Sequence, residues 1–289
     1  MSISTLHNGP SELTSGPATL SVFTPQLQVL ATRAPRTGVP FLEAFKVHYG
    51  PPGLLGRFFL SADTRLKERG ITLQFITMEE LVVLSRDNAD NWGSVNVMFD
   101  PYQALISPGS MCLVGIDQKG VIRTCVCAKP FDAISQSLAS IINNGGLLSL
   151  KSNHSAEGLR TRTDAPFALE KRGLIGYCGV VWVHPEARGA RFASIMANLM
   201  FACILTLWNP SYIIGTVNTS TKGTALHHRY NLPHAEESIT VSKNGEPLVN
   251  LVLLWTSALE ATEALGRYLD QIWPEIDAAV VARSRQQTA

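Results

Sequence analysis

The chain has 289 residues, of which 45% are hydrophobic and 16% charged, and its formal net charge is +1. That length suffices for one large domain or a domain with sizeable additions. The near-neutral balance provides no global field for nucleic acid or an anionic membrane, so any anion binding must be local.

The five cysteines, Cys112, Cys125, Cys127, Cys178 and Cys203, are odd in number and form no C-x-x-C pair, which argues against a disulfide framework and a zinc site. Buried free thiols in a reducing, cytoplasmic setting are expected instead. The N-terminus has no basic region followed by an apolar core, so no secretory signal is expected there.

Residues 1–35, rich in Ser, Thr, Pro and Gly, read as a flexible arm. Residues 36–70 carry apolar clusters broken by Pro51-Pro52-Gly53 and read as a helical and loop extension built of short helices. The main domain is expected over 71–257. It opens with a strand at Ile71–Thr77, and Thr77 then caps a helix with Glu79 and Glu80 in its first turn. Met111–Ile116, the turn Asp117-Gln118-Lys119-Gly120 and Val121–Ala128 read as a hairpin.

Residues 129–172 read as an insertion between the third and fourth strands, with Phe131–Asn143 helical and ended by Gly145-Gly146. Ile175–Val183 is the next strand. Phe192–Trp208 is a helix apolar on nearly all sides, interrupted by Asn198 and Thr206 and short for a membrane span, hence a core helix. A strand at Ser211–Val217 and a short helix at Thr224–Tyr230, ended by Asn231 and Pro233, follow. Ile239–Val241 and Leu248–Trp255 flank Asn244-Gly245, a hairpin signal because both residues tolerate positive φ. A C-terminal helix occupies 258–289, over Ala258–Arg283 with an interruption at Pro274.

The run Val181–Ala193, V-W-V-H-P-E-A-R-G-A-R-F-A, passes from a strand through a polar turn to a helix N-terminus. Unpaired N–H groups and the positive end of the helix dipole make such a junction an anion site, and small residues let a phosphate reach the backbone. The run resembles the acyl-CoA pyrophosphate loop of the GCN5-related N-acetyltransferase (GNAT) superfamily, in which a strand ending V-x-P precedes R/Q-x-x-G-x-G/A. Arg188 fills the first position and Ala193 the last, while Arg191 stands where the family has its middle glycine. The stretch I-T-L-Q-F-I-T-M-E-E-L-V-V-L and the order of elements over about two-thirds of the chain resemble the same family.

The resemblance implies an α/β (α+β) fold, a mixed and mostly antiparallel central sheet flanked by helices, here with N- and C-terminal additions. It implies acetyl-CoA or another acyl-CoA as co-substrate, no metal, and a small-molecule or amino-acid-like amine as acceptor. No nucleic acid or membrane partner is expected, and a homodimer is compatible with it. The cofactor would be held by the backbone of Arg188, Gly189, Ala190, Arg191, Phe192 and Ala193, with the Arg188 side chain on the phosphates. A backbone N–H of the splayed fourth strand, near Val181 to Val183, would polarise the thioester carbonyl.

Asn218 lies where family members contact the pantetheine arm, or is an ordinary strand-end residue. Tyr230 lies near the family's general acid, or is a packing residue at a helix end. The fourth-strand glutamate of many family members is absent, with Gly179 and Val180 in its place. His227, His228, Asp87, Asp90 and Asp100 are alternative bases. The family's G-F pair after the helix is also absent, with His234-Ala235 near that point.

Three readings follow. They are an acyl-CoA-dependent N-acyltransferase, a non-catalytic binding or regulatory protein of the same fold, and an acyltransferase using an acyl-carrier protein. The last would need a basic docking patch, for which Arg33, Arg36, Arg57, Arg65, Lys67 and Arg69 are scattered candidates.

Overall fold

The computed structural model describes residues 23–92, 95–151, 158–219 and 230–272. In chain order its elements are α1 (Pro25–Ala31), α2 (Pro52–Glu68), β1 (Ile71–Ile76), α3 (Met78–Asp87), α4 (Ala89–Trp92), β2 (Met111–Asp117), β3 (Ile122–Ala133), α5 (Leu138–Asn143), β4 (Leu159–Thr163) and α6 (Pro166–Glu170). Then come β5 (Gly173–Val183), α7 (Phe192–Trp208), β6 (Tyr212–Asn218), β7 (His234–Lys243), β8 (Glu246–Ser257) and α8 (Ala258–Arg267). The strands form one eight-stranded sheet in the order β1-β2-β3-β5-β6-β8-β7-β4, in which only β5 and β6 pair in parallel.

Alternation along the strands sends apolar side chains to both faces, and each face is covered by helices. One face carries α1, α2, α7 and α8, with Leu113, Val126, Cys178 and Ile213 beneath them. The other carries α3, α5 and α6, with Val114, Cys127, Tyr177, Ile214 and Leu253. These are called here the α7 face and the α5 face. Local signals act where they were expected. Thr77 and Glu80 form a reciprocal capping box at the start of α3. Asn244 and Gly245 both take positive φ, 53° and 91°, in the β7–β8 hairpin.

Three expectations are corrected. The flexible arm does not extend through residue 35, because Pro25–Ala31 is a helix capped by Thr24 that buries Leu27 and Leu30; residues 1–22 lie outside the described residues. Pro51-Pro52-Gly53 does not separate short helices, since Pro52 opens a single 17-residue helix, where its missing N–H costs nothing. Phe131 is not helical either. β3 runs on to Ala133 because Phe131, Asp132 and Ala133 pair with Ile175, Leu174 and Gly173, and the helix is confined to Leu138–Asn143.

The insertion is more than a loop. From the end of β3 the chain crosses the α5 face and adds β4 to the far edge of the sheet, antiparallel to β7. Asn143 ties α5 to β4, accepting from the Thr163 N–H at 2.7 Å and donating to the Thr163 carbonyl at 3.1 Å.

Helix α7 coincides with the expected span, and 15 of its 17 residues are buried. Its second side is covered by the chain N-terminal to β1. The His48 N–H donates to Thr206 Oγ1 at 3.1 Å and the Tyr49 N–H to the Thr206 carbonyl at 3.1 Å. The buried Thr206 and Asn198 side chains are thus hydrogen-bonded within the protein, while Trp208 Nε1 has no hydrogen-bond partner among the described residues. Among the described residues no helix is long and apolar enough to cross a membrane. The C-terminal helix runs from Ala258, through a single wide turn at Tyr268–Ile272. The rest of 258–289 lies outside the described residues.

Candidate active site

The site is built where β5 leaves its neighbours. On the β3 side the register slips: Cys127 pairs with Gly179 but Cys125 pairs with Trp182, so one β3 residue faces two on β5. The extra residue is Val180, at φ 54°. A β-branched residue in the left-handed region is strained, and such a bulge bends the strand and re-aims its backbone. It also resets the alternation, so that Val181 and Val183 pack toward the α7 face while Trp182 stays on the α5 face.

On the other side β5 pairs with β6 only at Ile175–Tyr212, Gly176–Ile213 and Tyr177–Ile214. Beyond Tyr177 the two strands part. Among the described residues β5 has no ladder partner on its β6 side beyond Tyr177, which opens a cleft along that edge. At the apex Tyr177 and Thr216 share a hydrogen bond of 2.8 Å between their hydroxyls, and burial pushes the Tyr177 hydroxyl up to about 12.

The end of β5 is anchored firmly. Arg123 binds Asp117 at 2.7 Å and Glu186 at 2.5 Å, and its guanidinium donates to His184 Nδ1 at 3.1 Å. The Glu186 N–H donates to the same nitrogen at 3.3 Å, which places the ring proton on Nε2. The hydrogen bond from Arg123 holds the Glu186 carboxyl below its ordinary range. This clamp fixes the His184-Pro185 turn and hence the entry to α7.

Gly189 then takes φ 91° and Arg191 φ 57°, and Arg191 caps α7 without any side-chain hydrogen bond. A left-handed residue at this point is what the family's glycine supplies at no steric cost. Arg191 adopts the same backbone conformation at some strain and sits at the cap, not in the first helical turn. Arg188 is exposed, and its Nε reaches back to the Val183 carbonyl at 3.4 Å. Phe192 is buried, and Ala190 and Ala193 are half-buried. The structure thus brings Val181, Val183 and Arg188 to Ala193 together around one cleft mouth.

Asn218 is exposed at the end of β6, across the cleft from β5. Tyr230 is half-buried against the α7-face core, in a turn followed by Asn231 at φ 56°. The expected helix at Thr224–Tyr230, with His227 and His228, lies outside the described residues but for Tyr230 itself.

The alternative bases fare unequally. Asp87 and Asp90 are exposed. Asp100 is buried and structural, accepting from the Tyr102 N–H at 2.9 Å and from Gln103 Nε2 at 2.6 Å. At Gly179, where the family glutamate would stand, a Cβ would meet the Tyr177 ring at 2.6 Å and its hydroxyl at 3.2 Å, so Tyr177 fills that space. Four of the six basic candidates for a docking patch are engaged within the chain: Arg33 bonds Tyr49, Arg36 the Glu43 carbonyl, Arg57 Asp270 and Lys67 Asp63. All five cysteines are buried free thiols, and burial pushes those of Cys178 and Cys203 up.

The α5 face carries two aromatic stacks. Trp92 stacks on Trp182 at 4.7 Å over the end of β5, and Phe167 of α6 stacks on Trp255 at 4.3 Å over β8. Between these two aromatic lids Val180, Thr216 and Glu236 stay half-buried. Sequence reasoning missed Thr216 and Glu236, because nothing local in their strands marks them; only the register across four strands aligns them.

No family model matches the chain, and no curated protein matches it. Solved structures that it is similar to include mutant forms of the spermidine/spermine N-acetyltransferase SpeG from Vibrio cholerae, at 12% identity and a TM-score of 0.38, over 68% of this chain and 98% of that one. NAA60 from Arabidopsis thaliana in complex with acetyl-CoA is another, at 13% identity and a TM-score of 0.39, over 65% of this chain and 98% of that one.

Proposed function

We propose that this chain is an acyl-CoA-dependent N-acyltransferase that moves an acyl group, acetyl in the simplest case, to the amine of a small or amino-acid-like acceptor. The observation that carries the reading is the opening of β5 from β6 at Tyr177, with the bulge at Val180 and an uncapped helix N-terminus at its mouth. A pantetheine arm would complete the ladder that β6 leaves unfilled, and the pyrophosphate would meet the amides from Gly189 to Ala193 and the Arg188 side chain.

The thioester carbonyl would then lie against a β5 N–H near Val181. The amine lone pair attacks the carbonyl carbon from the α5 face, and the oxyanion that forms takes that hydrogen bond. The C–S bond breaks, the thiolate takes a proton from Tyr230, and the ammonium proton of the new amide leaves to a carboxylate or solvent. Asn218 would steady the pantetheine amides.

A non-catalytic binding protein is favoured by one observation, the filling of the Gly179 position by Tyr177, which leaves no base there. Calorimetry with acetyl-CoA, followed by thiol release on a panel of primary amines, separates the two. Binding with release supports the transferase, and binding without release the second reading. Gly189→Glu adds charge at the phosphate position and should abolish acetyl-CoA binding, while Gly189→Ala isolates the cost of the positive φ. Unchanged affinity in folded Gly189→Glu would remove the site from consideration.

A further inference from the structure

The β5 strand lacks a carboxylate, but the α5 face has one, Glu236, whose Oε2 has no hydrogen-bond partner among the described residues. Glu236, on β7, pairs with Leu253 of β8, and Leu253 pairs in turn with Thr216 of β6. Directly paired residues share a face, and Leu253 belongs to the α5-face core. Glu236 and Thr216 therefore stand on the same face, two strand spacings or about 10 Å apart at Cα. Thr216 is the residue hydrogen-bonded to Tyr177 at the apex of the cleft.

Glu236 Oε2 is closed off from solvent and accepts no hydrogen bond, and among the described residues its carboxylate forms no ion pair. Buried acceptors are rarely left so, and a carboxylate oxygen least of all. The neighbouring charges are already committed. His234, two residues earlier, donates from Nε2 to Glu260 Oε1 at 2.9 Å and stacks on Trp255 at 5.2 Å. What remains is a half-buried anion on the face that carries Thr216 and Leu253, the face on which the Trp92–Trp182 and Phe167–Trp255 stacks also lie.

We infer that Glu236 is the cation-binding residue of the acceptor pocket, so that the acceptor is a basic primary amine that enters as its ammonium ion and loses one proton to solvent before its nitrogen attacks. The inference rests on the acyltransferase reading for the word acceptor, though not for the binding site. A charge-assisted hydrogen bond from the ammonium would satisfy Oε2, the aliphatic part would lie on Leu253, and the aromatic stacks would limit its width. Among the small or amino-acid-like acceptors proposed above, the same carboxylate selects against those with a free acid next to the amine, because like charges in a half-buried slot repel.

The test is direct binding of n-butylamine, by NMR titration, to the wild type, Glu236→Gln, Glu236→Asp and, as a surface control, Glu246→Gln, with n-butanol and butyrate as neutral and anionic probes. The wild type and Glu246→Gln should prefer butylamine over both other probes. Glu236→Gln should lose at least tenfold in affinity, and Glu236→Asp should recover part of it. Equal affinity in folded Glu236→Gln, or no preference for the cation in the wild type, overturns the proposal. Acetyl-CoA calorimetry on the same samples reads the transferase assignment separately. Failure of acetyl-CoA to bind, with Glu236-dependent amine binding intact, removes that assignment and leaves the cation site standing.

Discussion

Asn231 donates from Nδ2 to Asn198 Oδ1 at 2.6 Å, joining the turn that carries Tyr230 to the first turns of α7. Asn198 is fully buried, and its own Nδ2 donates to the Ser194 carbonyl at 2.8 Å. One buried amide thus couples the start of α7 to the turn that carries the residue proposed as acid. Asn198→Ala leaves Asn231 without its acceptor, at a cost of about 1–3 kcal/mol. The expected result is a lower Tm, with kcat falling further than the affinity for acetyl-CoA. Equal losses in both would mean that Asn198 serves packing alone.

Arg191 should tolerate replacement by glycine. Its φ of 57° costs an L-residue roughly 1–2 kcal/mol, against roughly 0.5–1 kcal/mol of extra unfolded-state entropy for glycine. Arg191→Gly is expected to be neutral to about 1 kcal/mol more stable in urea unfolding, with acetyl-CoA bound equally or somewhat more weakly. Arg191→Val should be the least stable of the three. A large gain in affinity for the glycine variant would show that the arginine obstructs the loop.

Tyr230→Phe keeps the ring against the α7-face core and removes only the hydroxyl. General acid contributions run to about a hundred- to ten-thousand-fold, so kcat should drop within that range while KM for acetyl-CoA changes little. Turnover within about twofold of the parent would make Tyr230 a packing residue.

Lys129 is fully buried on β3 opposite Tyr177, and among the described residues its amino group meets the Ser149 hydroxyl at 2.9 Å and the Phe131 ring at 5.5 Å. Burial pushes its pKa down to about 7. The folded pKa lies below the unfolded one, so between about pH 7 and 10.5 the unfolded chain holds a proton that the folded chain has released. Stability should therefore rise with pH across that window, and below about 7 the folded protein carries the full cost of the buried charge. Lys129→Met should flatten this slope and raise stability at pH 7 by about 1–3 kcal/mol, read from thermal melts across pH. An unchanged slope would place the titration elsewhere.

Much of the frame was legible because it follows from local chemistry. The Thr77 cap, the Asn244-Gly245 turn and the ends of α7 each rest on residues whose backbone preferences act within a few positions. The junction from β5 to α7 was legible for the same reason, a strand, a glycine and a helix start lying in one run of sequence. Phe131–Asn143 misled because its apolar spacing suits a helix. Pairing of Phe131 to Ala133 with residues more than forty positions later outweighed it, and no window of sequence contains both partners.

The amino-acid sequence by itself determined which segments bury an apolar face and where the chain can reverse or cap. The tertiary structure alone decided the rest: that the insertion crosses to the far edge of the sheet, that an extra residue at Val180 parts β5 from β6, and that Thr216 and Glu236 share a face with Tyr177. The physical reason is that strand register and bulges are set by hydrogen-bond partners and packing contributed from distant segments. A polar side chain acquires its role only when those partners arrive.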